Sequence, residues 1–303
     1  MLSCSTCWNS DRHTDGTAMI QEILNLGFKQ IELGHGIRLS LMEKIQKEFD
    51  RGKFSITSLH NFCPLPIEIT RSSPDCYQFS SHRKRERDRA LRLTFQTIDF
   101  AARFKAPIVV LHLGRIPMSP ITPQLIALAE KGELYSRNYV KLKLAAVQHR
   151  ESKSAAYIKR VRESLDPIIE YATSKGIRLG IEGRHGYEEI PNERELPPLL
   201  DEINSPSVGY WHDFGHIQVK HNLGFLDHFE WLQTIAPRLI GCHLHDTLWP
   251  ATDHRPPFTG GIEYDKLIPL LPKNCLFVFE MGPRRTPQEI MDSLQKWKTR
   301  FGE

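Results

Sequence analysis

Residues 239–246 read Leu239-Ile240-Gly241-Cys242-His243-Leu244-His245-Asp246. An apolar run ends there in two histidines and an aspartate. The two-residue period of an extended chain puts His243 and His245 on one face and Cys242 and Leu244 on the other. A buried strand ending in imidazole and carboxylate is what a metal- or substrate-binding strand end looks like. For a single such stretch, core histidines satisfied by backbone are the better explanation, so the reading turns on whether the pattern recurs.

It recurs along the chain. Toward the N-terminus, Val208–Trp211 runs into His212-Asp213 with His216 just beyond, Arg178–Ile181 closes on Glu182, Ile108–Leu111 ends in His112, and Phe54–Leu59 ends in His60. Leu2–Thr6 and Gln30–Gly34, the latter with Glu32 inside it, complete the N-terminal strands, and Leu276–Phe279 closes on Glu280. Stretches of helical spacing lie between: Thr17–Leu26 stopped by Gly27, Leu39–Phe49 closed by Gly52, and one with Leu91, Phe95, Ile98 and Ala102 on one side, broken by Pro107. Ala155–Ser174, a polar segment near Glu193–Ile203, Leu226–Ile235 and Asp265–Leu271 follow, and Thr286-Pro287-Gln288-Glu289 is a capping box that opens a last helix.

Eight strand candidates therefore alternate with helices, without internal repeats or an interdomain linker. This predicts an α/β fold, a single (β/α)₈ barrel over residues 1–303, with its active site at the C-terminal ends of the strands. A doubly wound open sheet is disfavoured: no G-x-G-x-x-G follows the first strand, and polar groups cap many strands instead of clustering at one switch point. Residues 115–154 hold helical patches at 125–130 and 139–147 but no strand, and are expected to form a helical insertion after the fourth strand, a lid over the site.

Composition narrows the class. Of 303 residues 40% are apolar and 25% charged, which suits a globular chain with a sizeable core. The net charge of +4 carries no nucleic-acid footprint. The basic run His82-Arg83-Lys84-Arg85 is followed by Glu86 and Asp88 and reads as a solvated helix start. Six cysteines are scattered, and the lone pair Cys4-Ser5-Thr6-Cys7 lacks the second pair of a zinc site. With no signal-peptide pattern and no long apolar run, a cytoplasmic protein with free thiols and no membrane association is expected.

A closed barrel would bring His60, His112, Glu182, Asp213, His216, His243, His245 and Glu280 to one mouth. Glu182, Asp213, His243 and Glu280 form a mixed oxygen and nitrogen set of net negative charge. It suits one divalent ion, Mn, Mg, Co or Zn, and leaves positions open for substrate oxygens. The remaining histidines would hold further metal or substrate.

These residues carry a resemblance. Ile31-Glu32-Leu33-Gly34, Leu59-His60-Asn61, Leu111-His112-Leu113-Gly114, Gly180-Ile181-Glu182, Asp213-Phe214-Gly215-His216, His243-Leu244-His245-Asp246, His254-Arg255-Pro256-Pro257 and Phe279-Glu280 resemble, in order, the xylose isomerase-like barrel superfamily. Its sugar-epimerase branch implies a metal held by Glu182, Asp213, His243 and Glu280. Glu182 and Glu280 would move protons beside a carbonyl, and His216 and Arg255 would bind substrate. Trp8, Phe62, Trp211 and Trp249 would wall a sugar ring or else plug the barrel. Its endonuclease IV branch implies up to three zinc ions on His60, His112, Glu182, Asp213, His216, His243, His254 and Glu280, but Thr252 stands where that branch has an aspartate, with Asp253 one place off. A non-catalytic sugar-binding accessory protein is the third reading, opposed by the cost of retaining buried carboxylates without use. The expectation is an enzyme of the isomerase or epimerase kind, or a dehydratase, acting on a small carbohydrate. Nucleic acid is not the expected partner, and a homo-oligomer is compatible with the chain.

Overall fold

The computed structural model describes residues 2–302. Eight parallel strands close into a barrel: β1 (Leu2–Ser5), β2 (Gln30–Leu33), β3 (Ser55–His60), β4 (Ile108–Leu111), β5 (Arg178–Glu182), β6 (Val208–Asp213), β7 (Leu239–Leu244) and, after a two-stranded hairpin of β8 (Asp246–Leu248) and β9 (Thr252–Arg255), β10 (Leu276–Phe279). Neighbours in sequence are neighbours in the barrel, and β10 pairs with β1 to close it. Around it lie α1 (Gly16–Asn25), α2 (Leu39–Asp50), α3 (Lys84–Arg103), α4 (Ile121–Glu130), α5 (Arg137–Ser174), α6 (Leu196–Ile203), α7 (Phe214–Asn222), α8 (His228–Ile235), α9 (Tyr264–Leu267) and α10 (Pro287–Phe301). The strands predicted from apolar runs are the barrel strands. β4 and β7 are buried at every position, because one face fills the barrel and the other meets helices.

The barrel interior is plugged by Trp211. Its ring is fully buried among Ile108, Val110, Ile240, Leu276 and Val278. Gly241 makes room for it: a Cβ there would fall 2.2 Å from the indole. Trp211 therefore presents no face to a ligand at the mouth, which corrects its assignment as a substrate wall. Trp8 is corrected too, being fully buried, with its Nε1–H donated to the Arg285 carbonyl at 2.7 Å.

The insertion differs from expectation at its C-terminal boundary. Nothing between Val147 and Ala155 breaks a helix, so the second patch and the following barrel helix fuse into the 38-residue α5. Arg150, in the polar join, is buried and donates to the carbonyls of Tyr187 and Glu189 and to the Glu195 carboxylate, tying α5 to the loop after β5. Ile121, Leu125, Ala129, Tyr139 and Ala146 form a small apolar cluster with Val219 of α7 and Leu223 just after it. Among the described residues no helix is long and apolar enough to cross a membrane. Cys4 and Cys7 are free thiols, and burial pushes both upward, away from reactive thiolate.

Candidate active site

Four strand ends build the centre. Glu182 closes β5, Asp213 closes β6, His243 lies near the end of β7 and Glu280 directly follows β10. All four are buried, and one donor atom from each lies within 4.8 Å of the others. Asp213 has a second task, because its Oδ1 accepts the His216 backbone N–H at 2.7 Å and so caps α7.

The two nitrogens of His243 have different surroundings. Nε2 lies 3.1 and 3.2 Å from the Glu32 carboxylate oxygens, and Glu32 in turn accepts the Ser58 hydroxyl at 2.7 Å. With the proton of the ring on Nε2, Nδ1 is left as a buried lone pair without a hydrogen-bond partner. It faces Glu280 Oε2 at 3.2 Å, Glu182 Oε1 at 3.5 Å and Asp213 Oδ2 at 3.6 Å. A lone pair and three carboxylates turned toward one another repel unless positive charge lies between them. A carboxylate fixing one imidazole nitrogen so that the other can ligate is also how histidine ligands are oriented. The four donors fit a divalent cation.

The charges agree with this. Burial alone would raise the carboxyls, but the surrounding imidazoles outweigh it: Glu182 and Asp213 are held well below the usual range and Glu280 at about 2. Burial likewise works against a charged His243, yet Glu280 and Glu32 carry it well above its ordinary value. Metal-free protein would hold a proton where a cation would sit, and binding the cation would release it.

A second group adjoins the first. His60 Nε2 and His112 Nε2 lie 3.0 and 2.7 Å from Glu182 Oε2. His60 Nδ1 donates to the Asn61 carbonyl and His112 Nδ1 meets Asp75 at 3.1 Å. Arg184 Nη1 also lies 2.7 Å from His112 Nε2. Burial and Arg184 press His112 toward the neutral ring, while Glu182 and Asp75 outweigh them and carry it to about 9. A proton on Nε2 would serve Glu182 but oppose the guanidinium, so the two short contacts compete for one ring nitrogen.

A family model described as "Xylose isomerase-like TIM barrel" matches residues 20–299. The chain belongs to this family. No curated protein matches it by sequence. Solved structures with the same fold include a D-tagatose 3-epimerase-like protein, 19% identical with TM-score 0.69 over 99% of this chain and 96% of that one. A 3-keto-D-glucoside 4-epimerase from E. coli is 13% identical with TM-score 0.68 over 98% of both chains. The probable 3-DHS dehydratase AsbF from Bacillus anthracis is 15% identical with TM-score 0.65 over 99% of both.

In this xylose isomerase-like barrel the other site residues fall into distinct places. His216 Nδ1 lies 3.3 Å from Asp213 Oδ2 and 3.4 Å from Glu182 Oε1. His245 has both nitrogens engaged: Nε2 donates to Asp213 Oδ2 at 3.1 Å, and Nδ1 accepts the His254 backbone N–H at 2.9 Å. In this arrangement it positions Asp213, and one donor atom of its ring lies within 4.8 Å of donors on His216 and His254, a spacing that could hold an ion. Gly215 permits this, since a Cβ there would lie 2.0 Å from the His245 ring. His254 stacks on His245 with ring centres 4.1 Å apart, meets Asp253 at 3.1 Å and stands 3.8 Å from Glu280.

Arg255 lines a cavity of about 470 Å³ beside Glu280, shared with His35, His254, Arg284 and Arg285. Trp249, at the tip of the β8–β9 hairpin, is 54% exposed, and Phe62 is buried. Sequence reasoning noted Glu32 without giving it a role and assigned none to His35, Asp75, Arg184 or Glu189. Glu32 carried a usable signal, a carboxylate inside an apolar strand that must find a partner. The others lie in loops without periodicity.

Proposed function

We propose that this protein is a divalent-metal-dependent enzyme that isomerises or epimerises a sugar, cyclitol or keto-sugar by abstracting the proton next to a carbonyl. The observation that carries the proposal is the unpartnered His243 Nδ1 facing three buried carboxylates at the strand ends. Glu182, Asp213, His243 and Glu280 would hold one ion, Mn, Mg, Co or Zn, which when bound polarises a carbonyl. Glu182 and Glu280 stay ionised at neutral pH, as a base must, and take and return the proton. Each has an imidazole beside it, His216 for Glu182 and His254 for Glu280, suited to passing that proton or binding a hydroxyl. His35 and Arg255 extend the polar surface along the cavity. A leaving group on the neighbouring carbon would turn the same abstraction into an elimination, the chemistry of a dehydratase.

The neighbouring His60, His112 and Glu182 favour a second reading, a zinc-dependent phosphodiesterase with up to three ions. The place of Arg184 against His112 Nε2, and Thr252 where that branch has an aspartate, count against it. Elemental analysis of the purified protein and deuterium exchange test both. One Mn, Mg, Co or Zn per chain, with solvent deuterium entering a ketose next to its carbonyl, supports proton transfer. Two to three zinc ions with phosphodiester cleavage and no exchange overturns it.

A further inference from the structure

His60, His112 and Glu182 turn one donor each toward a common point, and on spacing alone this is a place for a second cation. The His112 ring limits what can enter. An imidazole nitrogen has one in-plane position, filled either by a proton or by a lone pair that serves a single partner. His112 Nδ1 is committed to Asp75, so Nε2 is the only nitrogen it can offer. Arg184 Nη1 stands 2.7 Å from that atom, and a guanidinium can only donate.

Arg184 is firmly held there. Its side chain is 9% exposed. Glu189 Oε1 accepts from Nε at 3.1 Å and from Nη2 at 2.8 Å, and Asp75 Oδ2 accepts from Nη2 at 3.0 Å. Asp75 thus holds both the ring and the guanidinium, setting their separation. Glu189 is fixed in turn, because its other oxygen accepts the Gly186 backbone N–H at 2.7 Å. The guanidinium also lies 4.0 Å from Glu182, close enough to offset part of that carboxylate's charge.

We propose that Arg184 is a built-in cation that occupies the approach to His112 Nε2 and closes the His60–His112–Glu182 group to a second metal. The inference rests on the single-metal reading above and adds what enforces it. Arg184 acts as a positioning residue: it keeps Glu182 turned to the ion shared with Asp213, His243 and Glu280, where a second ion would draw one of its oxygens away.

The test is metal stoichiometry, not turnover. Metal-stripped protein is titrated separately with Zn²⁺ and Mn²⁺, freed of excess by gel filtration and analysed by elemental mass spectrometry. The wild type should retain one ion per chain and Arg184→Ala two, while Arg184→Lys, which keeps a cation in place, should stay at one. Adding His112→Ala to Arg184→Ala should return the count to one. Where Arg184→Ala fails to fold because Glu189 is left uncompensated, Arg184→Met with Glu189→Gln removes the charge and one of its holders together and should also bind two. Two ions in the wild type, or one in a folded variant lacking the guanidinium, overturns the role of Arg184 alone. No ion in the wild type overturns the metal-enzyme reading, and this inference falls with it.

Discussion

Two sets of buried histidines, on opposite faces of β6, behave oppositely. Asp213 on β6 points into the mouth, where His216, His243 and His245 meet carboxylates. Its neighbour His212 points outward and meets none. Instead a chain of neutral hydrogen bonds runs from Trp231 Nε1–H to Tyr210 Oη at 3.2 Å, from the Tyr210 hydroxyl to His212 Nδ1 at 3.1 Å, and from His212 Nε2–H to His228 Nε2 at 3.0 Å. His228 Nδ1–H donates to Gln218 Oε1 at 3.0 Å, Gln218 to Asn222, and Asn222 to the Pro250 carbonyl. Burial holds His212 at about 3 and His228 well below its ordinary value, while in the mouth Asp253 and Glu280 outweigh burial and carry His254 to about 9. A ring in this barrel is thus a neutral strut or a charged partner according to whether a carboxylate faces it.

The strongest way to break this contrast is to remove a carboxylate from the mouth. Glu182→Gln and Glu280→Gln should each lower turnover by about 10²–10⁴-fold, the usual worth of a general base, with an unchanged circular dichroism spectrum. Full activity in both would leave the mouth with no more chemistry than the outer pair. A smaller effect is expected one shell out. His245→Ala and Glu32→Gln each remove a group that orients a ligand, so affinity for Mn²⁺ should weaken by about 10–100-fold, measured by calorimetry. An unchanged affinity would mean that Asp213 and His243 hold their directions without help.

The outer chain should respond in stability and not in turnover. His228→Leu leaves the His212 Nε2–H and the Gln218 oxygen without partners in a closed site, which costs about 1–3 kcal/mol. Urea denaturation measures it, and turnover should stay at the wild-type level. A loss of activity without a loss of stability would show that the outer histidines belong to the catalytic apparatus after all.

The barrel was legible in the sequence because its strands are apolar runs and its helices are periodic. The four-donor centre was legible because a closed barrel converts position along the chain into position around a mouth. What periodicity could not show is which partner each ring meets. Face alternation put His243 and His245 together, and both do point into the mouth, yet Glu32 leaves one a free nitrogen and His254 takes the last nitrogen of the other. The same limit applied to Trp211, whose burial depends on Gly241 across a strand pair. It applied to α5 as well, whose buried Arg150 meets Glu195 in a distant loop.

Acid stability separates the two histidine sets by sign. A ring held at about 3 in the folded protein, against an ordinary value near 6.5, leaves the unfolded chain as the better proton acceptor once the pH falls below about 6.5. The stability His212 contributes is therefore complete above about 6.5 and is lost on descending toward 3, at up to about 1.4 kcal/mol per pH unit for one ring. His228 adds in the same direction, as do His35 at about 3 and His185 at about 4. His254, raised to about 9, contributes fully below 6.5 and loses its share only as the pH climbs through 9. The mouth carboxylate Glu280, lowered to about 2, contributes above its ordinary value of 4.5 and loses its share below that. Between pH 6.5 and 4.5 the slope is thus set by the depressed histidines, and His35 and His185 are common to every variant. Urea midpoints across this window should fall less steeply in His212→Phe with His228→Leu than in the wild type, by the slope of up to two protons. Parallel slopes would mean that the outer pair is already protonated in the folded barrel, and the difference between strut and charged partner would disappear.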